Sequence, residues 1–424
     1  MLVYVLNLHG QPLMPCSARK ARLLLKQKKA VVVRREPFTI KLLYGSSGYK
    51  QEITLGVDAG SKHIGMSATT SERELYAADI TLRNDIVDLL STRRQNRRTR
   101  RNRLRYRQAR FDNRVHSKNK GWLAPSVEHK IQTHFRVIEN VYRILPVKKL
   151  IVETASFDIQ KIKNPDIHNE QYQQGEQLGF WNVREYVLFR DGHTCQCCKG
   201  KSKDLILNVH HIESRKTGGN APNNLVTLCE TCHKGYHKGT VQLPNNIKRG
   251  ISFKDATFMG VMRWALYNRL IALYDNVSMT YGYVTKNTRI KNNLPKDHYI
   301  DARCISGNPL AKPLGYVFYL KKVRCQNRQI HKANILKGGK KKLNQAPFEV
   351  KGFRLFDKVR FNNQKCFIFG RRSSGYFDLR TLDGVSVSKS ANCKNLKILI
   401  RKNGYLQEVK TCFLPQLKQG VTAR

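Results

Sequence analysis

Acidic residues are scarce: 30 Asp+Glu stand against 78 Lys+Arg in 424 residues, a formal charge of +48. Compact folding works against such self-repulsion, which excludes an ordinary metabolic enzyme and calls for a polyanionic partner, with nucleic acid the expected one. No apolar run approaches the roughly twenty residues a membrane helix needs. The opening MLVYVLNLHG is too short for a signal peptide and has no cleavage pattern. The expectation is a soluble cytosolic protein without a membrane partner. Internal repeats are absent. Disorder throughout is excluded by a hydrophobic share of 40% and an aromatic share of 9%. Cysteines number eleven, an odd count, with Cys195, Cys197, Cys198, Cys229 and Cys232 close together, a pattern of metal ligation rather than disulfides.

Along the chain, residues 1–45 read as a small α+β module in which Pro12, Leu13, Met14 and Pro15 form a rigid apolar turn, and YGSSGYK is a linker. ITLGVDAG and HIGMSATT read as strands. Between Arg93 and Arg110 ten of eighteen residues are Arg: Arg93, Arg94, Arg97, Arg98, Arg100, Arg101, Arg103, Arg105, Arg107 and Arg110. Without Pro or Gly, this stretch is expected to be an extended helix whose guanidinium forks grip phosphates. The spacing of Val127, Ile131, Phe135, Val137, Ile138, Val141 and Leu145 predicts a core helix over 126–145, followed by the strand KLIVETASF. Helices are expected over 254–275 and from His298, with a strand at 278–284. The last hundred residues carry short strands and turns consistent with a small β-barrel.

Asp58 and Glu153 each place a carboxylate in an otherwise apolar strand, which is costly unless a cation meets it. His298 and Asp301, three apart, share a helix face. A pair of Mg²⁺ ions would satisfy the acids, because hard cations take oxygen ligands and can clamp the attacking and leaving oxygens of a phosphodiester. In the order strand-Asp, strand-Glu, helix-HxxD, these residues resemble the three split motifs of the RuvC family of RNase H-like nucleases. The resemblance implies that Asp58, Glu153 and Asp301 ligate two Mg²⁺ and that His298 moves a proton or orients water.

Cys195-x2-Cys198 and Cys229-x2-Cys232 form two thiolate pairs with the spacing of a structural Zn²⁺ site, Cys197 being the alternative to Cys198. His233 and His237 are spaced i, i+4 on one helix face. VHHI, followed by GGNAPNNL and the CH of the second cysteine pair, resembles the HNH (ββα-metal) endonucleases. That resemblance implies His211 as general base, His210 as a ligand of one Mg²⁺, and Asn223 or Asn224, with Asn224 preferred, as the residue orienting the motif. His237 completes the metal site by the same resemblance, with His233 beside it in some members.

The order of parts is more specific than either domain. HNH inserted between the second and third RuvC segments, an Arg-rich helix after the first, and the N-terminal HGQPLMPCSARKARLLLKQKKAVV resemble the IscB family of transposon-encoded RNA-guided nucleases. The resemblance implies a multidomain α/β protein: an N-terminal α+β PLMP module (1–50), RuvC segments at 51–90, 116–182 and 246–325, an Arg-rich bridge helix (91–115), an HNH domain (183–245) and a β-barrel-like C-terminal module (326–424) that meets a short flanking DNA motif. It further implies a structured guide RNA, a double-stranded DNA target, and a monomeric protein bound one-to-one to RNA in a prokaryotic cytoplasm, nucleoid-associated when on DNA. HNH would cut the guide-paired strand and RuvC the displaced one. A DNA endonuclease working without RNA is the alternative.

Overall fold

The computed structural model describes residues 1–46, 48–104, 121–154, 182–213, 221–248, 250, 254–324 and 347–411. The chain divides into two compact units, Met1–Ala155 with Met259–Arg424, and Ser156–Phe258.

In the first unit, β1 (Val3–Leu6), β2 (Pro12–Cys16), β3 (Ala30–Arg34) and β4 (Thr39–Leu42) form a sheet in the order β2-β1-β4-β3. Pro12 to Pro15 were expected as a turn but lie in β2, with Leu13 and Pro15 buried. A strand tolerates its prolines here because β2 is an edge strand, where a missing N–H breaks no ladder. Helix α1 (Ala18–Lys26) starts where the Ser17 hydroxyl accepts from Lys20 N at 3.3 Å.

The central sheet has seven strands. β5 (Thr54–Ala59), β6 (His63–Thr69) and β7 (Glu74–Thr81) form an antiparallel meander. β8 (Lys149–Thr154) runs parallel to β5, and β11 (Val277–Tyr281) runs parallel to β8. On the other side β12 (Tyr316–Lys322) is parallel to β7, and β20 (Tyr405–Thr411) is antiparallel to β12. The full order is β11-β8-β5-β6-β7-β12-β20. Thus β20, although it falls in the span 326–424 expected as one C-terminal module, belongs to the central sheet. β5 and β6 are buried almost along their whole length, the signature of a sheet covered on both faces.

Helix α2 (Ile86–Leu104) begins five residues ahead of the expected Arg-rich helix, with Ile86-Val-Asp-Leu-Leu as its opening residues. Arg93, Arg94, Arg97 and Arg98 on it are exposed. Arg100, Arg101 and Arg103 lie on its last described turns, while Arg105, Arg107 and Arg110 lie outside the described residues. Helix α3 (Pro125–Tyr142) buries Val127, Ile131, Val137, Ile138 and Val141 as the spacing predicts, and also Thr133 and His134. Beyond the sheet, β13 (Glu349–Val350) and β14 (Phe353–Arg354) form a hairpin. β15 (Lys358–Phe361), β16 (Gln364–Arg371), β17 (Tyr376–Arg380), β18 (Ser386–Asn392) and β19 (Lys397–Ile400) make an antiparallel sheet ordered β18-β17-β16-β15-β19 around Val359, Ile368, Phe377 and Leu379. Among the described residues no ladder joins β18 to β19, so the ladders here form an open five-stranded order where a small barrel-like module was expected.

The second unit contains α4 (Val183–Arg190), the hairpin of β9 (Leu207–His211) with β10 (Leu225–Cys229), and α5 (Glu230–Lys238). Its small core is Val226 and Leu228 packed with the buried Cys195, Cys229 and Cys232. The expected helix after residue 254 is α6 (Lys254–Ile271), which from Met259 on belongs to the first unit, as do α7 (Gly282–Lys291) and α8 (His298–Ile305).

Candidate active sites

The first site grows out of the register of the central sheet. Val57 on β5 pairs with Val152 on β8, so the next residues, Asp58 and Glu153, emerge side by side from parallel strands. They are 7% and 8% exposed. Helix α8 lies flat on β5 and β6 because the sheet offers glycine there: a Cβ on Gly56 would lie 2.0 Å from Ala302 O. This close packing carries His298 to Asp58, with Nδ1 2.8 Å from Oδ2. The His298 ring stacks on that of His63 at 5.0 Å, nearly parallel, and His63 Nδ1 meets Asp79 Oδ1 at 3.0 Å.

Each carboxylate is met by a cation of the chain itself. Arg263 of α6 places Nη2 3.0 Å from Glu153 Oε1 and 4.0 Å from Asp58 Oδ1. Arg289 of α7 approaches Asp301 at 2.9 Å, close enough for an ion pair but out of hydrogen-bond alignment. Burial and then the Asp58 charge raise the pKa of Glu153 and likewise that of Asp301. The hydrogen bond to Asp58 raises that of His298. The oxygen-rich donor set of Asp58, Glu153 and Asp301 suits Mg²⁺ in kind. The three acids are not, however, among the groups whose ligand atoms all lie within 4.8 Å of one another. Arg263, Arg289 and His63 escaped the sequence reading. Only Arg263 left a signal, as the one cation on the α6 stripe of Met259, Met262, Leu266 and Leu270.

In the second unit His210, His233 and His237 do converge, each ligand atom within 4.8 Å of the others. His210 comes from β9 and the other two from one face of α5, as their i, i+4 spacing predicts. His233 and His237 face each other through Nε2 at 3.3 Å, and the buried His210 Nε2 has no hydrogen-bond partner. Convergent imidazole nitrogens of this kind could hold a metal ion, and both His233 and His237 stand in the group. Three nitrogens suit a transition ion better than the Mg²⁺ expected for this site, because Mg²⁺ prefers oxygen. His211, adjacent on the strand, is half-buried and stands outside the triad. Asn224, wholly buried, accepts from Glu213 N at 2.9 Å and donates to Glu213 O at 3.0 Å. It thereby holds the chain just after the histidine pair.

Cys195, Cys198, Cys229 and Cys232 form the second convergent group, again within 4.8 Å. Cys198 Sγ is 3.8 Å from Cys229 Sγ, whereas Cys197 turns away to Gln242 O, also at 3.8 Å. Four thiols at this spacing fit a tetrahedral Zn²⁺. The Ser202 hydroxyl, 3.3 Å from Cys198 Sγ, lowers that thiol to about 6 and favours the thiolate a metal needs.

Comparison with known proteins gives two family matches. Residues 3–175 match the RRXRR protein family, and residues 195–239 match the HNH endonuclease family. No curated protein matches the chain. Among solved structures, Streptococcus thermophilus Cas9 in complex with the GGAA PAM aligns at 13% identity and TM-score 0.34, over 50% of this chain and 30% of that one. The same protein with the AGAA PAM aligns at 10% identity and TM-score 0.34, over 61% of this chain and 32% of that one. This chain therefore spans about a third of the length of those proteins. The histidine pocket and the four thiols both draw on residues of the matched segment 195–239, and the chain carries an HNH endonuclease domain.

Proposed function

We propose that the protein is an RNA-guided endonuclease of the IscB type that cuts both strands of a DNA duplex. One observation carries the reading: two chemically distinct clusters, the carboxylates Asp58 and Glu153 paired with His298 and Arg263 and the converging imidazoles His210, His233 and His237, stand in separate units of a chain with charge +48. The seven-stranded order, with an antiparallel meander feeding parallel strands that bear Asp58 and Glu153, supports an RNase H-like RuvC core in three segments. The exposed Arg93, Arg94, Arg97 and Arg98 of α2 supply the phosphate grip of a bridge helix. A structured RNA bound one-to-one would neutralise much of the charge, and base pairing would select the target strand.

In the HNH site His211 takes a proton from the attacking water, and Asn224 fixes the backbone that carries it. His210, His233 and His237 would hold a divalent ion, whose chemistry there would be to polarise the scissile phosphate and stabilise the leaving oxygen. In the RuvC-like site Asp58, Glu153 and Asp301 would hold the metal, and His298, oriented through Nδ1 by Asp58, leaves Nε2 to move a proton. The HNH site would cut the guide-paired strand and the RuvC-like site the displaced one.

The test is to purify the chain expressed with its native flanking DNA, sequence the bound RNA, and supply Mg²⁺ or Mn²⁺ with a matched duplex. Cleavage programmed by the RNA, with Asp58→Ala and His211→Ala each leaving a nick on opposite strands, is the expected result. Cleavage unchanged after RNA removal would instead establish an RNA-independent DNA endonuclease.

A further inference from the structure

Arg263 is 7% exposed and shares its helix face with Met259, Met262, Leu266 and Leu270. A guanidinium there is stable only if its donors and its charge are both answered. Its Nε donates to the carbonyl oxygen of Ala59, the residue after Asp58, at 2.8 Å. Its Nη2 reaches Glu153 at 3.0 Å and Asp58 at 4.0 Å. Arg263 is therefore pinned to the backbone of β5 at one end and bridges the two strands' carboxylates at the other. Room for the Glu153 carboxylate is kept by Gly282, where a Cβ would lie 3.2 Å from Oε1. His134, fully buried on α3, adds no competing charge, since burial lowers it to about 4.

Two cations cannot share one carboxylate cleft at close range without cost. At about 4 Å the repulsion between a guanidinium and a divalent ion is severe even at an effective dielectric of about 20. We propose that Arg263 is a positioning residue that occupies the cation position between Asp58 and Glu153, and that metal loading at this site is an exchange. Its Nη2 releases Glu153 to the incoming ion while its Nε keeps the hold on Ala59. Arg263 thereby sets the divalent-ion affinity of the site and keeps both acids in place when no ion is bound. The inference rests on the reading of Asp58, Glu153 and Asp301 as metal ligands.

The test is a Mn²⁺ titration of the full chain with its RNA, followed by electron paramagnetic resonance. His233→Ala with His237→Ala removes the other ion site, and the zinc is left in place. Arg263→Gln, which retains a donor for Ala59 but no charge, is expected to bind Mn²⁺ about tenfold or more tightly than the parent. Its thermal midpoint in chelator should lie below the parent's, and saturating Mn²⁺ should erase the deficit. Arg263→Lys keeps the charge and should stay near the parental affinity. Parental or weaker Mn²⁺ binding by Arg263→Gln, or equal tightening by Arg263→Lys, overturns the exchange. Failure of the underlying reading looks different: the parent would then show no Mn²⁺ binding that Asp58→Asn abolishes.

Discussion

A Cβ placed on Gly65 of β6 would lie 1.8 Å from the carbonyl oxygen of His298. Helix α8 therefore rests on the bare backbone of the sheet at its first residue, and that contact sets the 2.8 Å pairing of His298 with Asp58. Because the obstructing atom is backbone, Gly65→Ala must lift the helix. We expect a loss of about 1–3 kcal/mol of stability, together with loss of displaced-strand cleavage and retention of guide-paired-strand cleavage. Chemical denaturation and strand-labelled cleavage check this. Parental stability would show that α8 does not need the glycine.

Asn224 holds Glu213 by two backbone hydrogen bonds at 2.9 and 3.0 Å. Asn224→Ala removes both of these bonds from a wholly buried position, at about 1–3 kcal/mol, and frees the turn behind His211. Guide-paired-strand cleavage should fall by orders of magnitude while zinc content stays at parental level. Zinc loss in this variant would mean that the asparagine supports the whole domain rather than the catalytic strand alone.

Four-cysteine ligation predicts a sharp contrast between neighbours. Cys198→Ser should lower the bound zinc and the melting temperature of the second unit, because Cys198 is one of the convergent thiols. Cys197→Ser should change neither, since that thiol faces Gln242 O. Elemental analysis and thermal melts of the two variants decide it. If Cys197→Ser loses zinc instead, the ligand assignment is reversed.

How much of this was legible in the sequence depends on how local each cause is. Spacing along the chain places the members of each Cys-x2-Cys pair, His233 with His237 on one helix face, and His298 with Asp301 on one helix, whereas the meeting of the two cysteine pairs and of His210 with the α5 histidines depends on the β9–β10 hairpin. The burial of α3 followed from its period, although His134 on the same face did not stand out. The guanidinium partners did not follow, because Arg263 and Arg289 reach their carboxylates across more than a hundred residues or between two helices, where no periodicity speaks. The prolines of β2 misled for a physical reason: their turn propensity yields to the edge position, which only the sheet order reveals. The Arg-rich stretch was read correctly as helical over its described part, but composition alone could not place its start at Ile86.

The histidine pocket predicts an acid limit with a definite sign. Burial, followed by the neighbouring His233, His237 and His211, lowers His210 from 6.5 to about 4. In the folded protein His210 thus stays neutral between those values, while the unfolded chain takes up the proton. The unfolded state binds more protons in that window, so stability falls as pH drops from 6.5 toward 4. Protons also compete there with any ion for the same nitrogens. In protein stripped of the ion at this pocket, with zinc retained, the second unit should melt at progressively lower temperature across the window. His210→Asn removes the titrating group and should flatten that slope, and saturating Ni²⁺ should shift the parental decline to lower pH while leaving the variant's unchanged. Equal slopes in parent and variant, with no Ni²⁺ effect on either, would refute the assignment of His210 to a neutral, ion-ready pocket.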